Sequence, residues 1–315
     1  MSELTIPSIE KEDISPPKIE AGGTAIVLQR HEKYDRDRSS ERSGSVFEDA
    51  AEAAKERALA FFKELLSNED PNSPTYVFFG SSDTQYNNKG RRSLETAELA
   101  QQACIEVMES LGINPAERIL NLNTNHSLKK FDSNQQGQDL NIRPIIKLRE
   151  PNIFGDHDNH RLGGIDKEAA AKSGDRRYFD YMIQKHGSEG DEAWTPEVWA
   201  IHEKDGEEEK RRELGAEGVY DILDRTKRAL AGLARYSEAF HDKNPEAKLL
   251  LWVTSHYDTI SPLVKDAQGI SLKGDEYLKV DYGGGVVINL PKGGETVLEA
   301  RSQKVPLAIG RVAVG

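Results

Sequence analysis

Two histidines close short apolar runs, His31 after TAIVLQR and His256 after LLLWVTS. A neutral imidazole is an effective nucleophile toward phosphorus near neutral pH, because its ordinary pKa is about 6.5. Arg30, directly before His31, offers a guanidinium fork that matches phosphate oxygens. The segment KGRRSLETAELA sets Arg91 and Arg92 just ahead of an apolar-periodic stretch. A guanidinium beside the first amides of a helix makes a sensible anion site. Breaking a phosphate ester also needs an acid for the leaving oxygen, and Glu150 in KLREPNIFG is the candidate. Each segment has a plainer reading. Arg30-His31 and His256 suit ordinary strand ends, Arg91-Arg92 a solvated basic loop, and Glu150 is one of 54 acidic residues.

The elements around these residues give them a common location. TAIVLQ after Gly22-Gly23, TYVFF at Thr75–Phe79 and LLLWVT at Leu249–Thr254 read as buried strands. A fourth strand is expected at ERILNL, Glu117 to Leu122. A helix is expected from Ser45, with Glu48 completing a capping box and Phe47, Ala51, Ala54, Ala58, Phe61 and Leu65 on its apolar face. A second runs from about Ser93 through Leu94, Ala97, Ala100, Cys104, Val107 and Leu111 to a stop at Gly112. A long helix carries Val219, Leu223, Leu230, Leu233 and Phe240, and GVVINL-PKGG-ETVLEA reads as a hairpin. Strands alternating with helices predict an α/β fold: a three-layer α/β/α sandwich with a central, mostly parallel sheet. Ligands in such sheets bind at the carboxyl ends of strands, where both histidines fall. Residues 1–22 are charged and contain proline, and are expected as a flexible tail. Residues 23–315 form the α/β domain, with a helical cap insertion at about 151–245.

Taken in order, the segments carry a resemblance. IVLQRHE after the first strand, FFGSSDTQYNNKGRRSLETAE after the second, LREPNIFG, and WVTSH after the late strand resemble the histidine phosphatase superfamily, in particular its phosphoglycerate mutase-like branch. The resemblance spans residues 24 to about 300. It implies that His31 attacks the phosphoryl group and becomes phosphohistidine. Arg30, Arg92 and His256 would hold the phosphate oxygens, while Glu150 would protonate the leaving group and later activate water. It implies phosphomonoester hydrolysis of a small phosphorylated metabolite, with neither metal nor other cofactor. Phosphoglycerate mutase-type transfer needs the same residues and differs only in the acceptor.

The sequence also departs from the family pattern. Glu32 stands where a small residue follows the histidine, and Asp37 where asparagine is frequent. Tyr257 and Asp258 follow the second histidine, and the stretch from Ser82 to Arg92 is lengthened. A catalytically weakened phospholigand-binding or scaffold protein is therefore one rival expectation. A second rival rests on DHDNH, Asp156 to His160, whose carboxylates and imidazoles are close enough to ligate a divalent metal; the plainer reading is a polar loop.

Composition narrows the partners. A net charge of −12 repels nucleic-acid backbones and anionic membranes, although a few arginines can reverse the potential inside one pocket. The single cysteine, Cys104, excludes an internal disulfide and cysteine-based zinc motifs. The start of the chain has neither the basic stretch nor the apolar core of a signal peptide, so a cytoplasmic location is expected. VDYGGGVV lacks the Gly-Lys-Ser/Thr ending of a phosphate loop.

Overall fold

The computed structural model describes residues 8–11, 14–35, 40–82, 91–120, 142–148, 174–187, 196–273 and 278–309. Strand β1 is Ser8–Ile9 and β2 is Thr24–Arg30; helix α1 follows at Glu48–Leu66, then β3 at Thr75–Ser81 and α2 at Arg92–Ser110. A short α3 at Pro115–Arg118 and β4 at Arg143–Pro144 precede three helices, α4 Gly174–His186, α5 Pro196–Glu203 and α6 Glu208–Leu214. The long α7, Val219–His241, leads to β5 Lys248–Ser255 and α8 Tyr257–Ala267. Strands β6 Lys279–Val280, β7 Gly285–Leu290, β8 Val297–Ala300 and β9 Gln303–Pro306 complete the described chain.

Seven strands form the main sheet in the order β4-β3-β5-β2-β7-β8-β9. The β4–β3, β3–β5 and β5–β2 pairs are parallel, whereas β2–β7, β7–β8 and β8–β9 are antiparallel. The sheet is thus mixed, which corrects the expectation of a mostly parallel one. For β7–β8 and β8–β9 the reason is local. The turns after β7 and β8 are too short for a crossover, so each strand must return beside its predecessor in the opposite sense. β9 was not expected at all, because QKVP is largely exposed and lacks an alternating apolar pattern.

Both faces of the sheet are covered. Ala25, Val27, Val77, Phe79, Leu250 and Trp252 point toward α1 and α2; Ile26, Leu28, Leu249, Leu251 and Val253 point toward α7 and α8. The two-residue period of each strand splits its apolar residues between the layers, as a doubly buried strand requires. Register then brings the strand ends level. Arg30 pairs with Ser255, and Ser81 with Thr254, so β2, β5 and β3 finish at one edge.

Several local expectations change. Helix α1 starts at Glu48 with no side-chain cap, so Ser45 is not the N-cap. The Ser45 carbonyl instead accepts from the Asp35 amide at 2.9 Å, which fastens the loop after His31. The buried face of α1 is Ala54, Ala58, Phe61, Phe62 and Leu66, while Phe47 is exposed. In the expected strand at 117–122, Asn114 caps a helical turn through Pro115–Arg118, and Ile119 makes only an isolated bridge to Val77; residues 121 and 122 lie outside the described chain. Asn-Pro is a strong helix-start signal that outweighs the short apolar run.

Within residues 1–22, Ser8–Ile9 pairs in parallel with Lys279–Val280, and Ile9 is fully buried. In the stretch read from sequence as a cap, Tyr178, Met182, Val198 and Ala216 make a small core of their own. The last helix of that stretch, α7, is different: Val219, Leu223, Leu230 and Leu233 bury against the sheet. No helix among the described residues is long and apolar enough to cross a membrane.

Candidate active site

His31 is 2% exposed and lies one residue beyond β2. Its amide donates to the Ser255 carbonyl at 3.0 Å, so the end of β5 fixes the backbone of the first histidine. Its ring is held by two bonds. Nδ1 lies 2.8 Å from the Glu32 carbonyl, and Arg92 Nε donates to Nε2 at 3.0 Å. A carbonyl only accepts and a guanidinium only donates, so the two contacts set one tautomer: Nδ1 carries the proton and Nε2 the lone pair.

Arg92 is the first residue of α2 and is 1% exposed. Its guanidinium also lies over the Tyr34 ring, 4.3 Å from the centroid. Thr96, one turn along, donates to the Arg92 carbonyl at 2.8 Å and accepts from the Glu32 amide at 3.0 Å, which links the helix start to the His31 loop. Arg91 is half-buried at the N-cap position, where its amide donates to Glu95 at 3.2 Å. Of the pair, Arg92 is the residue that bonds His31.

His256 is fully buried at the N-cap of α8, with its ring centroid 5.2 Å from that of His31. Its Nε2 bonds Ser82 Oγ at 2.6 Å and Ser93 Oγ at 3.3 Å. Ser82 follows β3, and its amide donates to the Thr254 carbonyl at 2.9 Å. Four segments therefore converge: the ends of β2, β3 and β5 and the start of α2.

Arg30 lies beside this cluster. Its Cζ is 3.9 Å from the Tyr282 ring centroid and 5.8 Å from that of Tyr257, and Nη1 donates to the Val280 carbonyl. Tyr282 also approaches His31, centroid to centroid at 5.6 Å. Tyr34 and Tyr282 were not anticipated as part of the site. The only sequence signal for Tyr282 was the glycine run behind it. Gly283 sits at φ +75°, and a Cβ there would fall 2.3 Å from Glu32 Oε1. Glycine is therefore needed to bring this loop against the residue after His31.

The polar groups of the two departures at 32 and 257 bond residues outside the histidine pair. Glu32 is 1% exposed and its carboxylate pairs with Arg57 at 2.5 Å. Burial raises its pKa above the ordinary carboxylate range, with Arg57 pulling in the opposite direction. The Tyr257 hydroxyl donates to Glu203. Glu150, Asp37 and the DHDNH cluster at Asp156–His160 lie outside the described residues. Leu148, two residues before Glu150, is fully buried, and its carbonyl accepts from Ser255 Oγ at 2.7 Å. A cavity of about 330 Å³ bounded by Lys11, Arg57, Phe61, Thr96, Trp252 and Gly283 borders the loop after His31, and none of Arg30, His31, Arg92 or His256 lines it.

Comparison with family models and with curated proteins finds no match. Among solved structures, the chain is similar to YhfR of Bacillus stearothermophilus, at 15% identity and a TM-score of 0.42, covering 89% of this chain and 97% of that one. It is similar to a mycobacterial glucosyl-3-phosphoglycerate phosphatase in complex with VO3, at 14% identity, TM-score 0.41, and coverage of 84% and 92%. It is also similar to the alpha-ribazole phosphatase of Shigella flexneri, at 14% identity, TM-score 0.38, and coverage of 91% and 97%. Two of these solved proteins are phosphatases.

Proposed function

We propose that this chain is a phosphomonoester hydrolase of the histidine phosphatase kind, acting on a small phosphorylated metabolite through a phosphohistidine and without a metal. The observation that carries the reading is the pair of bonds on the His31 ring. Nδ1–H is committed to the Glu32 carbonyl, so Nε2 is the nitrogen available to attack, and a guanidinium is already beside it. Phosphoryl oxygens entering the site would take over the Arg92 donors and release the Nε2 lone pair. Nε2 then attacks phosphorus as the ester P–O bond breaks. The carbonyl on Nδ1–H stabilises the ring's positive charge, while Arg30, Arg92 and His256 stabilise charge on the equatorial oxygens.

Glu150 is the proposed acid for the leaving oxygen. In the second step it takes a proton from water as the water oxygen displaces the imidazole from phosphorus. Its support is its place in the sequence and the anchoring of Leu148 beside Ser255, the neighbour of His256. Against a disabled, purely binding site stands the placement of the two departures. Glu32 turns to Arg57 and Tyr257 to Glu203, so carboxylate and phenol are each engaged by a partner other than the His31–His256 pair.

Acid-quenched labelling tests the reading. In the presence of a chelator, the wild type mixed with a labelled phosphoryl donor should retain acid-labile, base-stable label, and His31→Ala should retain none. Turnover of an aryl phosphate should fall by roughly four orders of magnitude in that variant. Undiminished turnover in His31→Ala, or loss of wild-type turnover on chelation, would overturn the mechanism.

A further inference from the structure

We propose that Glu203, carried by the inserted helix α5, is a positioning residue that holds Arg30 for the substrate phosphate; the proposal rests on the phosphotransfer reading above. Glu203 is 3% exposed and ends α5. Four donors from two places, helix α8 and the residue before β6, meet its carboxylate. Lys265 Nζ and Ser261 Oγ each lie 2.7 Å from Oε1, the Leu278 amide lies 3.4 Å from it, and the Tyr257 hydroxyl donates to Oε2. Lys265 is 1% exposed, so the ion pair is removed from water on both sides.

A buried pair of this kind adds little to stability, because desolvation offsets most of the attraction. What it supplies is direction, and the donors show where. Tyr257 directly follows His256, and its ring forms one wall beside the Arg30 guanidinium. Leu278 lies two residues before Val280, whose carbonyl accepts from Arg30 Nη1, and four before Tyr282, which stacks on the same guanidinium. One carboxylate thereby fixes both walls of the Arg30 slot, and it comes from the segment that the sequence places outside the sheet. Tyrosine at 257, out of pattern for a residue following the second histidine, has a role here: its hydroxyl reaches the insertion and its ring reaches the arginine.

The test is a double-mutant cycle read by inorganic phosphate binding. Tyr257→Phe removes only the hydroxyl, leaving the ring and the Glu203–Lys265 pair; it therefore avoids the folding risk of Glu203→Gln, which is measured alongside it. Calorimetric titration should show Tyr257→Phe weakening phosphate binding about five- to tenfold, and less than twofold when Arg30 is already alanine. A merely structural contribution would give the same fold-change in both backgrounds. That result, or an unchanged phosphate affinity in Tyr257→Phe, overturns the positioning role. Labelling of His31 separates this from the reading beneath it. A labelled wild type with no coupling sinks the positioning role alone. A wild type that binds phosphate but never labels sinks the hydrolase reading, and the cycle still decides whether Tyr257 acts through Arg30.

Discussion

The two helical layers of this protein are built on different principles. Under the middle of α1 and α2 the contact is apolar: Phe61 and Phe62 pack on Trp252 at centroid distances of 4.9 and 5.4 Å, among Ala97, Ala100, Cys104, Val107 and Met108. Buried Glu32, paired with Arg57, and buried Arg92 of this side lie near the strand ends. On the α7 and α8 side, charges are buried among the apolar residues. Lys265 pairs with Glu203, while Arg225 bonds Glu217 at 2.9 Å and the Lys147 carbonyl at 2.6 Å. The apolar layer fills space and can tolerate volume-conserving exchange. The charged layer binds specific strands and loops to one another, and its bonds end beside Arg30, His256 and the segment leading to Glu150. The α7–α8 side thus adds buried ion pairs that end beside the site, while the start of α2 on the other side supplies Arg92 and Ser93 to the site itself.

The largest expected effect is on the charged side. Lys265→Met leaves the Glu203 carboxylate buried with only neutral donors and should cost roughly 3–5 kcal/mol in urea unfolding at unchanged m-value. Adding Glu203→Leu should restore most of that loss, because neither charge is then buried. If the double variant is as unstable as the single, the pair is a stabilising device and the contrast between layers fails.

A smaller effect separates the layers by pH. Burial, reinforced by the Glu95 carboxylate and opposed by Arg91, pushes Glu98 on α2 up to about 7. A carboxyl raised in the folded state weakens folding when ionised. Wild-type stability should therefore rise as pH falls through about 7 toward the unfolded value near 4.3. Glu98→Gln should be more stable than wild type above pH 7, on the order of 1–3 kcal/mol, with the gap closing by about pH 4. A constant gap across that window would remove Glu98 as its source. The smallest effect belongs to the apolar layer alone. Ile119→Val, at a residue 1% exposed, should cost about 0.5–1.5 kcal/mol and leave phosphate affinity unchanged. A shift in that affinity would show that the two layers are coupled.

How much of this was legible beforehand differs by residue. The positions of His31, Arg30, Arg92 and His256 were readable because each sits at a boundary that sequence patterns mark well: the end of an apolar strand or the start of a periodic helix. The strands leading to the two histidines run where the apolar runs placed them, at Thr24–Arg30 and Lys248–Ser255. Glu203, Lys265 and Tyr282 were not readable. Glu203 and Lys265 are two of many charged residues, and only contact between segments some 60 residues apart distinguishes this pair. The same holds for Phe62, which falls one position off the expected face of α1, and for Ser45, whose capping pattern yields to the bond with Asp35.

By itself, the sequence determined the alternation of strands and helices, the residues closing the strands, and the residue types able to do phosphoryl chemistry. These follow from local periodicity and side-chain chemistry, which a linear chain carries without its partners. Tertiary structure alone decided the rest. It set the antiparallel pairing of β2 with β7, the register that levels Arg30 with Ser255, the tautomer of His31, and the neutralisation of Glu32 by Arg57. Each of those depends on which distant atom arrives within hydrogen-bonding distance, a quantity that packing fixes and sequence spacing does not encode.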